Sequence, residues 1–372
     1  MSLAGAAVLR LARNLIYQEL SNDFEPTKFG ASQQLANLAG WSQVMAQESK
    51  VVADVVGARI SSAPNGLAAT VTLSTSNATD RAVSGAWRMQ TPPPGWSVAP
   101  PPPVVVPPNQ RQFAEMSISL AGLPATAAGA LPMELQFDSD ALGAYAVSGR
   151  LAVAACPYIS EPIAIDGDLG DWPRTPNNAA GDFRLACGVG TARLGDDRAL
   201  PTLPTQAFFC MDRDNLYVGV FCGLREGEKP VWSQDNQVPI GGAMPWGQDV
   251  IEILLCPTNV ASGTSADLFQ MQIKPSGLVV ARKGCATEPP MGPTSDWLCD
   301  AKVSVQIGRQ AWVVEAAIPI ASLGRPAIQN RIWGVNITRM DATRGEYSSW
   351  SGTRGNCYLP QTLGNLILMR AY

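Results

Sequence analysis

Apolar and polar residues alternate along most of the chain after residue 50. The clearest run is 244–255. Within it Ile251, Ile253 and Leu255 fall on one face and Val250, Glu252 and Leu254 on the other, the period of a half-buried strand. Similar runs predict strands at 51–60, 67–73, 82–89, 113–120, 132–137 and 145–154. A second set is predicted at 208–211, 216–223, 250–256, 269–274, 278–283, 301–307, 311–318, 332–339 and 363–369. Asp212-Arg213-Asp214-Asn215 separates two apolar runs and predicts a hairpin, and 319–323 predicts one helical turn. The first fifty residues differ. Residues 3–20 and 32–49 carry apolar positions at helical spacing, with Leu35, Leu38, Trp41 and Met45 forming a stripe in the second.

These patterns divide the chain into a helical segment (1–50), a first β domain (51–155) and a second (156–372). The fold class expected is mainly β, two β-sandwich domains after a short helical N-terminal segment. Two short helices have little core of their own, so they read as docked on the β domains or as the tail of an upstream domain. Between the strands of the first domain lies 92–108, with nine prolines. Proline cannot donate to a sheet ladder, so this span reads as edge strand plus exposed loop rather than a polyproline ligand.

Composition narrows the chemistry. Of 372 residues 46% are apolar and 16% charged, ample for packed cores. The net charge is -4 without a basic cluster, which argues against nucleic acid as a partner. No apolar run is long enough for a membrane-spanning helix. Histidine is absent, which excludes a Ser-His-Asp triad, a Cys-His pair, His-ligated zinc and a His haem ligand within these residues. A glycosidase working with two carboxylates is not excluded. The eight cysteines all lie at or after Cys156 and form no CxxC pair. An even number permits disulfides in an exported protein; Cys210 and Cys222, inside apolar runs, read equally as buried thiols. Residues 1–13 are apolar but carry Arg10 and Arg13 late and lack a basic start, unlike a secretory leader.

Three clusters carry candidate chemistry. Trp246, followed by Gln248-Asp249 and Glu252, places a ring and carboxylates near one strand entrance. Such a ring packs on the C–H face of a sugar while a carboxylate accepts from its hydroxyls. The other reading is a core tryptophan beside a solvated acid. Asp166, Asp168 and Asp171, with Gly167 and Gly170 between them, offer oxygen ligands for structural calcium, or simply form turns. Glu315, in a second alternating strand, offers an acid/base partner for Glu252. Trp333 and Trp350 are expected in the core, and Arg339, Asp341, Arg344 and Glu346 as a solvated charged hairpin.

The second domain resembles carbohydrate-binding module family 9. The matching blocks run in one order: Ile165-Asp166-Gly167-Asp168 with Asp171-Trp172; Asp214-Asn215-Leu216-Tyr217-Val218; Trp246-Gly247-Gln248-Asp249-Val250-Ile251-Glu252-Ile253; and Phe269-Gln270-Met271. Then come Trp312-Val313-Val314-Glu315-Ala316-Ala317-Ile318-Pro319, Trp333-Gly334-Val335-Asn336-Ile337, Ser349-Trp350-Ser351 and Leu363-Gly364-Asn365-Leu366. The phrases Pro94-Gly95-Trp96-Ser97-Val98 and Val104-Val105-Val106-Pro107-Pro108 in the first domain resemble the immunoglobulin-like accessory domains of bacterial glycosidases. The resemblance implies a non-catalytic sandwich that grips oligosaccharide or polysaccharide ends between two rings. It also implies possible structural calcium, neighbouring modules of a larger chain and an extracellular or periplasmic setting. Trp246 would be the first ring, Glu252 the hydroxyl acceptor and Gln248 part of the entrance. The family's second ring falls at Cys357, beside Tyr358, and a family arginine falls at Gln272. Those two departures weaken the expected site, with Tyr358 or Trp232 as substitutes. Three functions follow: an accessory sugar-binding protein, a scaffold whose sugar site has decayed, or a fragment of a glycoside hydrolase.

Overall fold

A computed structural model of the chain describes residues 51–64, 66–122, 129–141, 143–186, 200–232, 248–259, 268–284, 293, 295–351 and 359–369. The predicted N-terminal helices lie outside the described residues. The chain is mainly β and built from stacked sheets.

The first half contributes β1 (Val51–Ala63), β2 (Gly66–Asn77), β3 (Val83–Met89), β4 (Trp96–Ala99), β5 (Val104–Val106), β6 (Gln110–Leu120), β7 (Ala130–Ser139) and β8 (Gly143–Pro157). The order β1-β2-β6-β4 forms one sheet, and β8-β7-β3-β5 lies on the path of another. The proline-rich span behaves as its chemistry requires. It supplies only the short strands β4 and β5, and each sits at a sheet edge. Val71, Leu73, Met116, Ile118, Trp87, Leu135 and Phe137 fill the space between the sheets. Trp87 and Phe137 pack as a tilted pair at 5.0 Å.

The second half contributes β9 (Ala179–Ala180), β10 (Arg184–Leu185), β11 (Thr205–Met211), β12 (Asn215–Gly223), β13 (Val250–Cys256), β14 (Phe269–Ile273), β15 (Val279–Lys283) and β16 (Ser295–Asp296). It continues with β17 (Lys302–Ile307), β18 (Ala311–Pro319), β19 (Ile332–Asp341), β20 (Glu346–Ser349) and β21 (Gly364–Met369). A 3-10 turn at Ile320–Leu323 and a short helix α1 (Arg325–Gln329) follow β18. The sheet β17-β18-β12-β11-β9 faces the sheet β16-β15-β14-β13-β19-β21. Residues of one parity from both pack between them, among them Ile251, Ile253, Leu255, Phe209, Trp312, Trp333 and Trp350. Both Trp333 and Trp350 are core residues, as their patterns require. The β11–β12 hairpin turns on Asp212, whose Oδ1 accepts from the backbone N–H groups of Asp214 and Asn215.

The two halves share one sheet. β21 pairs in parallel with β8, Asn365 opposite Val153 through Met369 opposite Pro157. Ile332 and Ile367 belong to the core of the first half although their strands belong to the second. The buried amide of Asn365 secures this seam. Its Oδ1 accepts from Ile60 N–H at 2.7 Å, and its Nδ2 donates to the carbonyls of Ala58 at 3.1 Å and Ala152 at 3.0 Å. Asn259 adds a further bond, donating from Nδ2 to the Ile60 carbonyl. Strand pairing that crosses the two halves makes them unfold together only as long as this seam holds. Replacing Asn365 by Ala strands one N–H and two carbonyls in a dry interior. We expect a loss of about 2–4 kcal/mol and a splitting of the unfolding transition, read by urea titration followed at two wavelengths.

Candidate functional site

Strand parity sends Ile251, Ile253 and Leu255 inward, so Glu252 and Leu254 point to the outer face of the sheet. Register then decides their neighbours. Glu252 stands opposite Gln272 on one side and Thr338 on the other. Leu254 stands opposite Gln270 and Asn336, Gln270 opposite Arg282, and Thr338 opposite Ser349. The result is a row of amides and hydroxyls around one carboxylate on an otherwise apolar set of strands.

Glu252 is 4% exposed. Its Oε1 accepts from Gln270 Nε2 at 2.9 Å and Gln272 Nε2 at 2.6 Å. Its Oε2 accepts from Thr338 Oγ1 at 2.8 Å and Tyr347 Oη at 2.7 Å. Beside this group Asn336 Nδ2 donates to Ser349 Oγ at 2.9 Å, and Asn336 Oδ1 accepts from Ser351 N–H at 3.0 Å. Glu252 is therefore the anchor of an internal network, whereas the sequence allowed a solvated acid or a direct sugar acceptor. Gln272 lies at its side, which brings two expected site residues together. Gln248 is half-buried just ahead of β13. Trp246 and Tyr358 lie outside the described residues.

At one end of these strands, on the inward side of the sheet, a charged cluster is buried. Asp249 Oδ2 accepts from Val231 N–H at 2.6 Å, and Asp249 N–H donates to the Val231 carbonyl at 2.7 Å. Burial, with the nearby Asp341 adding repulsion, pushes the Asp249 carboxyl up to about 6 against the relief from Val231 N–H and Arg339. Arg339 donates to the Gly223 carbonyl at 2.8 Å and to Thr205 Oγ1 at 3.2 Å. Arg344 spans Asp341 at 2.9 Å and Glu228 at 2.8 Å. Glu346 accepts from Thr202 N–H and Oγ1. The expectation of a solvated charged hairpin is thus corrected. Arg339 and Glu346 are buried because they find partners on the segments 202–205 and 223 that close over them, and Asp341 because Arg339 and Arg344 meet its carboxylate.

Glu315 lies in the opposing sheet. Trp312, Val314, Ala316 and Ile318 face the core, so Glu315 faces outward on the far side of the sandwich from Glu252. The apolar core separates the two carboxylates, and they form no acid/base couple. Glu315 instead fastens the chain that enters the second half. It accepts from Asp166 N–H at 2.8 Å, Gly167 N–H at 2.5 Å and Trp172 Nε1 at 2.6 Å. Gly219, directly opposite Glu315, leaves room for this ring; a Cβ there would stand 2.6 Å from Leu169 and 3.1 Å from Trp172. Burial pushes the Glu315 carboxyl up despite these donors.

The three aspartates of this entry segment are turn formers. Asp166 Oδ1 accepts from Asp168 N–H, Asp168 Oδ1 from Gly170 N–H, and Asp171 Oδ2 from Ala164 N–H. Among the described residues no group of three or more acidic or cysteine side chains is placed to hold a metal ion. Cys210, Cys222 and Cys299 are free thiols, and burial pushes Cys210 and Cys222 up to about 12. No helix among the described residues is long and apolar enough to cross a membrane.

Gln270, Asn336, Thr338, Tyr347 and Ser349 were not singled out from the sequence. Their signal was present as polar residues at every second position of apolar strands. Its meaning depended on which strands pair.

No family model matches the chain, and no curated protein does. A search of solved structures finds distant likenesses. One is to a carbohydrate binding module family 9 from Caldicellulosiruptor kristjanssonii in complex with cellotriose, at 18% identity and TM-score 0.40, covering 59% of this chain and 95% of that chain. Another, from the same organism in complex with glucose, gives 15% identity and TM-score 0.39 over 59% and 97% of the two chains. A FixG-related protein from Vibrio parahaemolyticus gives 11% identity and TM-score 0.22 over 28% and 96%. At TM-scores below 0.5 these likenesses are too distant to carry an argument.

Two outcomes follow from the network. The hydroxyls of Thr338 and Tyr347 can turn to accept, so Glu252→Gln with its new amide at that side keeps most bonds and is expected to cost about 1–2 kcal/mol. Glu252→Ala strands four donors and is expected to cost about 3–5 kcal/mol, both by urea unfolding at pH 7. Asp249 holds its proton more tightly folded than unfolded, so its contribution favours the fold below pH 3.8 and is lost as pH rises toward about 6. Asp249→Asn removes that loss. Its stability relative to the parent is expected to rise across this window, by up to about 3 kcal/mol, in melts recorded from pH 3.5 to 7.5.

Proposed function

We propose that the chain binds a carbohydrate and does no chemistry on it. The observation that carries this reading is the outer face of β14-β13-β19-β20. There amides, hydroxyls and one carboxylate replace the apolar residues that a sheet face packed for stability alone would carry. Sugars are recognised by such arrays of paired donors and acceptors, with an aromatic ring taking the C–H face. The ordered blocks shared with carbohydrate-binding module family 9 support the same reading, as does the position of Trp246 four residues before this strand. Glu252 then acts as the organiser that aims Gln270, Gln272, Thr338 and Tyr347, with Trp246 as the stacking platform. Binding of saccharide ends, attachment to neighbouring modules and service in an exported polysaccharide-degrading system belong to this proposal. A hydrolytic role is disfavoured by the placement of Glu252 and Glu315 on opposite faces.

One observation favours a second reading. All four donors around Glu252 are already spent inside the protein, as they would be in a scaffold that has lost its ligand. Calorimetric titration with neutral mono- and disaccharides, run beside Trp246→Ala, separates the two. A sugar-binding protein is expected to give saturable heats that weaken at least fivefold in the variant, since a stacked ring contributes on the order of 1 kcal/mol. Absence of binding to every sugar by the folded parent leaves the scaffold reading.

A further inference from the structure

Four donors saturate Glu252, yet beside it two polar groups find no partner among the described residues. Lys274 follows β14 two residues after Gln272, so its side chain takes the same outer face. It is 1% exposed, and its Nζ has no hydrogen-bond partner among the described residues. Gln272 is equally buried, and while its Nε2 donates to Glu252 its Oε1 has no partner among them. A third group, Arg282 Nε, lies across from Gln270 on β15 and is also unmet. An ammonium withdrawn from water with nothing to donate to is costly, far more so than a neutral amide. Native interiors avoid such groups unless an ion or ligand meets them. Two acids lie among the strand residues of this face: Glu252, whose two oxygens already hold four donors, and the exposed Asp296, which stands opposite Arg282 on β16. Among the described residues the sheet therefore buries an unmet cation and an unmet acceptor on one face.

We infer that the saccharide recognised here is acidic. Lys274 Nζ receives its anionic group, a uronic acid carboxylate or a sulfate ester, and Gln272 Oε1 accepts from an adjacent hydroxyl. Arg282 adds positive potential on the β15 side. This rests on the carbohydrate-binding reading and adds the ligand's charge to it. Lysine acts here as a point charge, which suits either anion.

The test is titration calorimetry of the full chain at low and high salt with cellobiose, digalacturonate and a sulfated disaccharide. Lys274→Met, Lys274→Gln and Lys274→Arg are measured in parallel, with thermal melts of each. We expect an acidic disaccharide to bind at least tenfold tighter than cellobiose. That preference should fall with salt, vanish in Lys274→Met and Lys274→Gln, and persist in part in Lys274→Arg. Whichever of the two acidic ligands shows it names the anion. Equal affinity of the parent for neutral and acidic sugars overturns the inference and leaves the carbohydrate reading intact, and this comparison needs no variant to fold. A preference that survives in folded Lys274→Met overturns it as well. Failure of all three sugars to bind overturns it together with that reading.

Discussion

A carboxylate taken out of water must be met by donors, and this requirement shapes both outer faces of the second sandwich. Glu252 draws side chains of β14 and β19, and Tyr347 of β20, into one network. Glu315 draws in the entry segment and the Trp172 indole. Each sits mid-strand, where alternation turns it away from the core, and each is buried by what it attracts. The strands around them could pack as apolar surfaces without either acid. With the acids present, the loops and edges that supply donors are held in register, so the two charges organise their faces rather than merely occupy them.

The same requirement, unmet, marks where recognition belongs. Asp249 is relieved only in part by Val231 and Arg339, and its carboxyl rises accordingly. Lys274 is not relieved at all among the described residues. Saturation around Glu252 and want at Lys274 lie within one strand pair. The first gives the face a rigid polar floor, and the second gives it something to bind. A floor whose donors are aligned before binding loses less entropy when a ligand arrives.

The seam between the halves is the frame that holds this face. Parallel pairing of β21 with β8 makes one sheet run from the first core to the second, and the Asn365 amide ties it to β1. β19, which carries Thr338 and Asn336, borders β21 at its start and β20 at its end. The polar face is therefore positioned by the whole length of the shared sheet. A first half read from sequence as a separate β domain is structurally continuous with the site.

Periodicity alone determined much of this. Strands such as Val250–Cys256, Asn215–Gly223 and Ala311–Pro319 lie within a few residues of where alternation puts them, because side-chain parity is a local property. The placement of Trp333 and Trp350 in the core and of the prolines at sheet edges follows from the same local chemistry. What only the tertiary structure decided is partnership. The donors of Glu252 come from residues 18 to 95 positions away, and Asn365 reaches Ala58 across 307. Register between strands is a non-local choice, so no pattern in one strand shows that its acid will be saturated, or that the lysine beside it will be left wanting.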